Sequence, residues 1–199
     1  MSFISGLYFR GDPKQKPKQW GPLSSVHSYI IDRCRFIGAP NLFMYSAFWE
    51  NAGSTTIDLK NNRVLNFSNH SWQKGSVLFN NTTLISEMTG PYGTGSISYG
   101  CMLKFSTTDA INRHVFNIGL PTANNMVHMI CISGRIKFGA WGLDTLSDGI
   151  FADNKWHSVF VIYNGLNFKL YVDGVSIKES IAYSSLNISA APIVLGTLS

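Results

Sequence analysis

Apolar and polar side chains alternate most cleanly between Ile97 and Phe105. Ile97, Tyr99, Cys101, Leu103 and Phe105 fall on one side, and Ser98, Gly100, Met102 and Lys104 on the other. A period of two predicts a half-buried strand, because successive side chains of an extended chain point to opposite faces. RHVFNIG (113–119), VHMICIS (127–133) and RIKFGAW (135–141) follow as further strands. In the last of these, Ile136, Phe138 and Ala140 turn inward while Arg135 and Lys137 turn outward, and SGR at 133–135 reads as a tight hairpin. The strand WHSVFVIY ends at Asn164-Gly165, a dipeptide suited to a type I′ turn because both turn positions need positive φ. The return strand sets Phe168, Leu170 and Val172 on one face and Lys169 and Tyr171 on the other. Asp173-Gly174 then turns into VSIK, which makes a three-strand meander, and SLNIS and PIVLG (185–196) supply the last strand material. No stretch holds a 3.6-residue period, so helix content should be small. Many short strands with regular turn signals predict an all-β sandwich or barrel.

Composition supports a packed body. The 199 residues are 45% hydrophobic, 13% aromatic and only 14% charged, a balance that excludes a disordered chain. No window offers eighteen consecutive apolar residues, so no spanning helix and no membrane partner are expected. The N-terminus lacks the apolar core and small-residue cleavage site of a secretory signal. We therefore expect a protein used where it is made, released by lysis, or trimmed of its signal. The cysteines Cys34, Cys101 and Cys131 are too few and too odd in number for a disulfide framework. Cys101 and Cys131 read as small buried hydrophobes, with a pairing between two of the three left open.

Residues 1–24 stand apart from the rest. Pro13, Pro17 and Pro22 interleave with lysines, and proline fixes φ and removes donors, which predicts an extended, basic arm. Phe3, Leu7, Tyr8, Phe9 and Trp20 are many apolar groups for a free tail, which favours an arm that docks. The expected division is an arm at 1–24 and a sandwich domain at 25–199. Much of the net charge of +5 sits near the start, on Arg10, Lys14, Lys16, Lys18, Arg33 and Arg35. Such a segment can meet an acidic protein surface or a phosphate backbone, or be simply solvated.

The run WHSVFVIYNGLNFKLYVDG resembles a motif of laminin G-like and concanavalin A-like domains, carried here by Trp156, His157, Tyr163, Leu170, Tyr171, Val172, Asp173 and Gly174. The stretch 43–86 is similar to the opening of such domains, with Glu50, Gly53, Asp58-Leu59 and Trp72-x-x-Gly75 in order. The likeness covers roughly residues 35–196 and implies an antiparallel jelly-roll β-sandwich. The opening, behind a basic lead, is most similar to laminin G-like proteins of tailed bacteriophages. That resemblance implies a virion component, a step that rests on analogy. Such domains usually carry one more apolar strand after the PIVLG-type segment. The resemblance implies that the arm, a neighbouring subunit or a further stretch of chain supplies that edge.

Glycosidases of related fold need two carboxylates flanking the scissile bond, and no E-x-D-x-x-E cluster occurs here. His27, His70, His114, His128 and His157 lie in separate segments without a G-x-S-x-G elbow, so no serine triad is expected. His157 is expected to be structural, beside Trp156. Calcium is the one candidate cofactor, with Asp58, Asn61 and Asn62 in one loop or Asp148 and Asp153 in another, although Asp and Asn are ordinary turn residues. Sugar binding on a sandwich uses exposed aromatics with amide partners, and Trp72, Tyr92, Trp141, Asn124 and Asn125 are the candidates. The loop GPYGTGS (90–96) lacks the ending of a phosphate loop, and the Asn-x-Ser/Thr motifs matter only in a eukaryotic secretory setting.

The expectation is thus a non-enzymatic bacteriophage virion protein, a capsid decoration or tail accessory protein made in the host cytoplasm. Arg10, Lys14, Lys16, Lys18 and Trp20 of its arm would anchor it to capsid or tail proteins or to a second copy, and nucleic acid is not the expected partner. The alternative is a carbohydrate-binding, lectin-like module that meets surface glycans. An unrecognised hydrolase is a third reading.

Overall fold

The computed structural model describes residues 2–5, 54–58, 63–67, 70–73, 76–79 and 83–196. These residues form strands and connections without a helix. None of their segments is a helix long and apolar enough to cross a membrane. In chain order the strands are β1 (Ser2–Ser5), β2 (Thr55–Asp58), β3 (Arg63–Phe67), β4 (His70–Gln73), β5 (Ser76–Phe79), β6 (Thr83–Thr89) and β7 (Ile97–Phe105). They continue with β8 (Arg113–Gly119), β9 (Met126–Ile132), β10 (Arg135–Ala140), β11 (Leu143–Leu146), β12 (His157–Tyr163), β13 (Phe168–Val172), β14 (Val175–Glu179) and β15 (Pro192–Gly196).

Two antiparallel sheets result. The first runs β14-β13-β12-β7-β1-β5-β4 and the second β11-β10-β9-β8-β15-β6-β3-β2. The alternation read at Ile97–Phe105 is the inward face of β7: Tyr99, Cys101, Leu103 and Phe105 are buried, and Ile97 packs against the same core. Val159 and Val161 on β12 and Phe168, Leu170 and Val172 on β13 extend that face. The second sheet answers with Val127, Met129 and Cys131 on β9 and Ile136, Phe138 and Ala140 on β10. Burying such side chains from water is the main stabilising term of a sandwich. Cys101 and Cys131 lie buried in this core, and burial pushes the Cys101 thiol well above the ordinary range. Tyr99 meets Phe116 edge-on at 4.6 Å and donates to the His128 carbonyl at 3.3 Å, which ties the first sheet to the second.

The turns correct the sequence reading in one place. Ser133-Gly134 and Asp173-Gly174 both take positive φ and form two-residue hairpins, as their dipeptides predict. Asn164-Gly165 does not form a two-residue turn, for only Gly165 has positive φ and the connection from β12 to β13 spans 164–167. The Asn164 side chain explains the wider loop: its Oδ1 accepts from the amides of Leu166 and Asn167, at 2.9 and 2.8 Å. Of the SLNIS segment, Ile188 alone pairs, in an isolated bridge with Gly93. The first residues of the expected arm dock on the body, in line with its apolar groups. Ser2–Ser5 is a strand of the body, paired with β5 on one side and β7 on the other. Arg10, Lys14, Lys16, Lys18 and Trp20, and the 24/25 boundary, lie outside the described residues.

Gly100 on β7 stands opposite Phe160, and a Cβ there would meet the Val159 carbonyl oxygen at 2.3 Å and the Phe160 ring at 2.9 Å. The contact is with backbone, so β7 and β12 would have to separate. Gly100→Ala should therefore destabilise by about 1–3 kcal/mol. Gly174→Ala, where nothing stands within 4 Å of the added Cβ, should cost about 1 kcal/mol through its positive φ alone. Urea denaturation of the two variants checks this order.

Candidate functional site

The bulge between His114 and Phe116 on β8 turns both Val115 and Phe116 into the core. It thereby sets Asn117 outward, directly opposite His128 on β9. His128 in turn faces Gly139 on β10, and Gly139 faces Asp144 on β11. Cross-strand partners share a face, so Asn117, His128, Gly139 and Asp144 form one row across the outside of the second sheet. Gly139 contributes no side chain, and across that gap His128 Nε2 comes within 2.5 Å of Asp144 Oδ1. The contact is short, but the ring nitrogen is not aligned on it as a hydrogen bond. Lys137 Nζ reaches the other carboxylate oxygen at 3.3 Å. Burial disfavours the Asp144 carboxylate, yet His128 and Lys137 outweigh it and hold the group below its ordinary range. His114 contacts Asn117 Oδ1 through Nδ1 at 2.8 Å, and burial draws its pKa down. Asn117 and His128 are each 1% exposed, and among the described residues Asn117 Nδ2 and both ring nitrogens of His128 have no hydrogen-bond partner.

One end of this row meets a seam of loops. The Asn124 amide donates to the Trp141 carbonyl at 3.3 Å, and Trp141 donates to Met126 at 2.9 Å. Asn187 and Ser189 donate to the carbonyls of Asn124 and Asn125, each at 2.9 Å. Ile188, between them, exchanges two backbone hydrogen bonds with Gly93, beside the exposed Tyr92. Asn124 takes φ 69°, and its Oδ1 accepts from the Tyr183 hydroxyl. Asn125 Nδ2 donates to Thr122 Oγ1 at 2.9 Å. The half-exposed Trp141 indole stands edge-on to His128, with ring centroids 6.1 Å apart.

The structure thus brings Tyr92, Asn124, Asn125 and Trp141 to one end of the sandwich around 187–189. Trp72 lies elsewhere, on β4 at the end of the first sheet's strand order. Sequence reasoning missed Asn117, His128 and Asp144. The signal was a His inside the apolar run VHMICIS, the kind of polar residue that a buried strand does not need.

The other expected sites fall apart. Asp148 is held by Lys178 at 2.8 Å, and Asp153 by His157 at 3.0 Å and Lys155 at 3.5 Å. Asp58 ends β2 opposite Arg63, while Asn61 and Asn62 lie outside the described residues. Among the described residues no group of three or more His, Cys, Asp or Glu is placed to hold a metal ion.

No family model matches this chain, and no curated protein matches it. Solved structures do share its fold. Domains LG4-5 of the mouse laminin alpha1 chain are 14% identical with a TM-score of 0.46, over 59% of this chain and 32% of that one. The chain thus spans about a third of the laminin chain it matches. The Bacillus licheniformis beta-glucanase is 13% identical with a TM-score of 0.43, over 73% of this chain and 69% of the enzyme. The kappa-carrageenase from Pseudoalteromonas carrageenovora, complexed with an oligotetrasaccharide, is 13% identical with a TM-score of 0.36, over 74% and 62%. The fold itself is an all-β sandwich of two antiparallel sheets. At these identities the likeness is one of fold. Carbohydrate-active enzymes recur among these structures, and they are not virion proteins. The bacteriophage virion role is withdrawn, and so is the flat exclusion of enzyme activity.

His157 has a defined structural setting. Its Nδ1 meets Asp173 Oδ2 at 2.7 Å and its Nε2 meets Asp153 Oδ1 at 3.0 Å, while Asp173 Oδ1 accepts the Ser158 amide at 2.8 Å. Burial opposes the charged imidazole, but the two carboxylates outweigh it and raise its pKa. The His157 contact lowers the Asp153 carboxyl to about 2. A raised histidine stabilises the fold below its unfolded pKa of about 6.5 and loses that contribution as pH rises through the folded value. The melting-temperature difference between wild type and His157→Gln should therefore be largest near pH 6 and shrink toward pH 9. A difference that is constant over this range would contradict the pairing.

Proposed function

We propose that this chain is a carbohydrate-binding, lectin-like module whose ligand lies against the loop seam of the second sheet. The observation that carries the reading is the convergence of Tyr92, Asn124, Asn125 and Trp141, distant in sequence, on one hydrogen-bonded seam beside the polar row of β8, β9 and β11. Sugar rings present apolar C–H faces and a rim of hydroxyls, so they are held by exposed aromatic faces flanked by amides and carboxylates. Tyr92 is 70% exposed and Trp141 half-buried, so both present some ring surface for such contact. Backbone hydrogen bonds hold the asparagines from both sides, so little ordering entropy is lost when a ligand arrives.

Affinity gel electrophoresis against mixed-linkage β-glucan, xylan, mannan, dextran and κ-carrageenan tests this. Wild type should be retarded by at least one polymer. Trp141→Ala and Tyr92→Ala should each weaken that retardation about tenfold, the loss of roughly 1.4 kcal/mol of stacking. Retardation by none of the polymers, or retardation untouched by both substitutions, would remove the reading. Reducing ends are assayed on the same samples, and their release would turn the surface from a binding site into a hydrolytic one.

A further inference from the structure

The row on the outer face of the second sheet holds more polar groups than its own contacts use. Its charges are matched internally, since Asp144 faces both His128 and Lys137. What remains is neutral. Asn117 Oδ1 is engaged by His114 Nδ1, which leaves the Nδ2 donor without a partner. A neutral imidazole carries one donor and one acceptor nitrogen, and neither ring nitrogen of His128 has a hydrogen-bond partner among the described residues. The two residues are register partners on adjacent strands, and such side chains stand about 5 Å apart at Cβ. A buried polar atom left unpaired costs stability. Two of them side by side, one donor and one acceptor, form a hydrogen-bonding pair that awaits its complement.

We infer that Asn117 and His128 recognise a pair of neighbouring hydroxyls on a neutral sugar ring, the first donating to one hydroxyl and the second accepting from the other. This rests on the carbohydrate-binding reading and names the chemistry that reading leaves open. Each hydroxyl is both donor and acceptor, so a vicinal diol satisfies both atoms at once. A sulfate or carboxylate would find its natural cation, Lys137, already drawn to Asp144. Both atoms are sealed from bulk water in the free protein, with the Trp141 indole edge-on beside the His128 ring, so binding of the diol requires a side-chain rearrangement there.

Periodate cleaves vicinal diols and spares isolated hydroxyls, which gives a test that needs no substitution. The full chain is run against native and periodate-oxidised, borohydride-reduced forms of the same neutral polymers, with κ-carrageenan as the sulfated comparison. Oxidation should abolish retardation. Asn117→Leu, close in volume, should weaken binding to native polymer about tenfold, with circular dichroism confirming that the variant is folded. Equal retardation by oxidised polymer, retardation by κ-carrageenan alone, or an unchanged Asn117→Leu beside weakened Trp141→Ala and Tyr92→Ala would overturn the inference and leave the binding reading standing. In that case the buried pair would be a structural flaw of the sheet only. No retardation of wild type by any polymer removes both.

Discussion

The alternation of side chains along β7, β9 and β10 is the constraint on which the rest depends. Tyr99, Cys101, Leu103 and Phe105 must meet Val127, Met129, Cys131, Ile136 and Phe138 across a dry interior. Once they do, every residue between them is forced outward, and register decides which outward residues become neighbours. A slip of one residue in β9 would bury His128 in the core and expel Met129. The polar row outside the second sheet is thus a consequence of the apolar interior inside it.

Gly139 shows how small a feature can position a site. It lies between His128 and Asp144 in the row, at φ 133°, a conformation other residues rarely adopt. A Cβ there would approach the Leu143 carbonyl oxygen at 2.8 Å. Without a side chain at that point, an imidazole and a carboxylate two strands apart come into contact. The loop seam works similarly through backbone: Asn187 and Ser189 clasp 124–125, and Ile188 clasps Gly93.

Much of the fold was legible in the chain. The period-two pattern at 97–105 and 135–140 gave the inward faces correctly, since burial imposes that pattern directly. The turn at Asn164-Gly165 was not legible, because its asparagine uses its side chain to cap two amides instead of adopting positive φ. Strand β11 carries no alternating apolar signal, being an exposed edge. The seam was half legible. Tyr92, Asn124, Asn125 and Trp141 were named for their chemistry, and nothing local says that a segment near 188 gathers them while Trp72 stays on the other sheet. Asn117 and Asp144 read as ordinary polar residues until register sets them beside His128. The motif around His157 and Asp173 proved informative about the fold and silent about ligand, for its groups are spent on one another.

On the proposed reading the sandwich gathers one sugar-facing surface from separate segments. Amide chemical-shift mapping tests it most directly, with a neutral oligosaccharide titrated into uniformly labelled protein. The account predicts shifts concentrated at 92–93, 117, 124–128, 141 and 187–189, with the rest of the chain quiet. Shifts confined to β4 around Trp72, or spread evenly over both sheets, would contradict it.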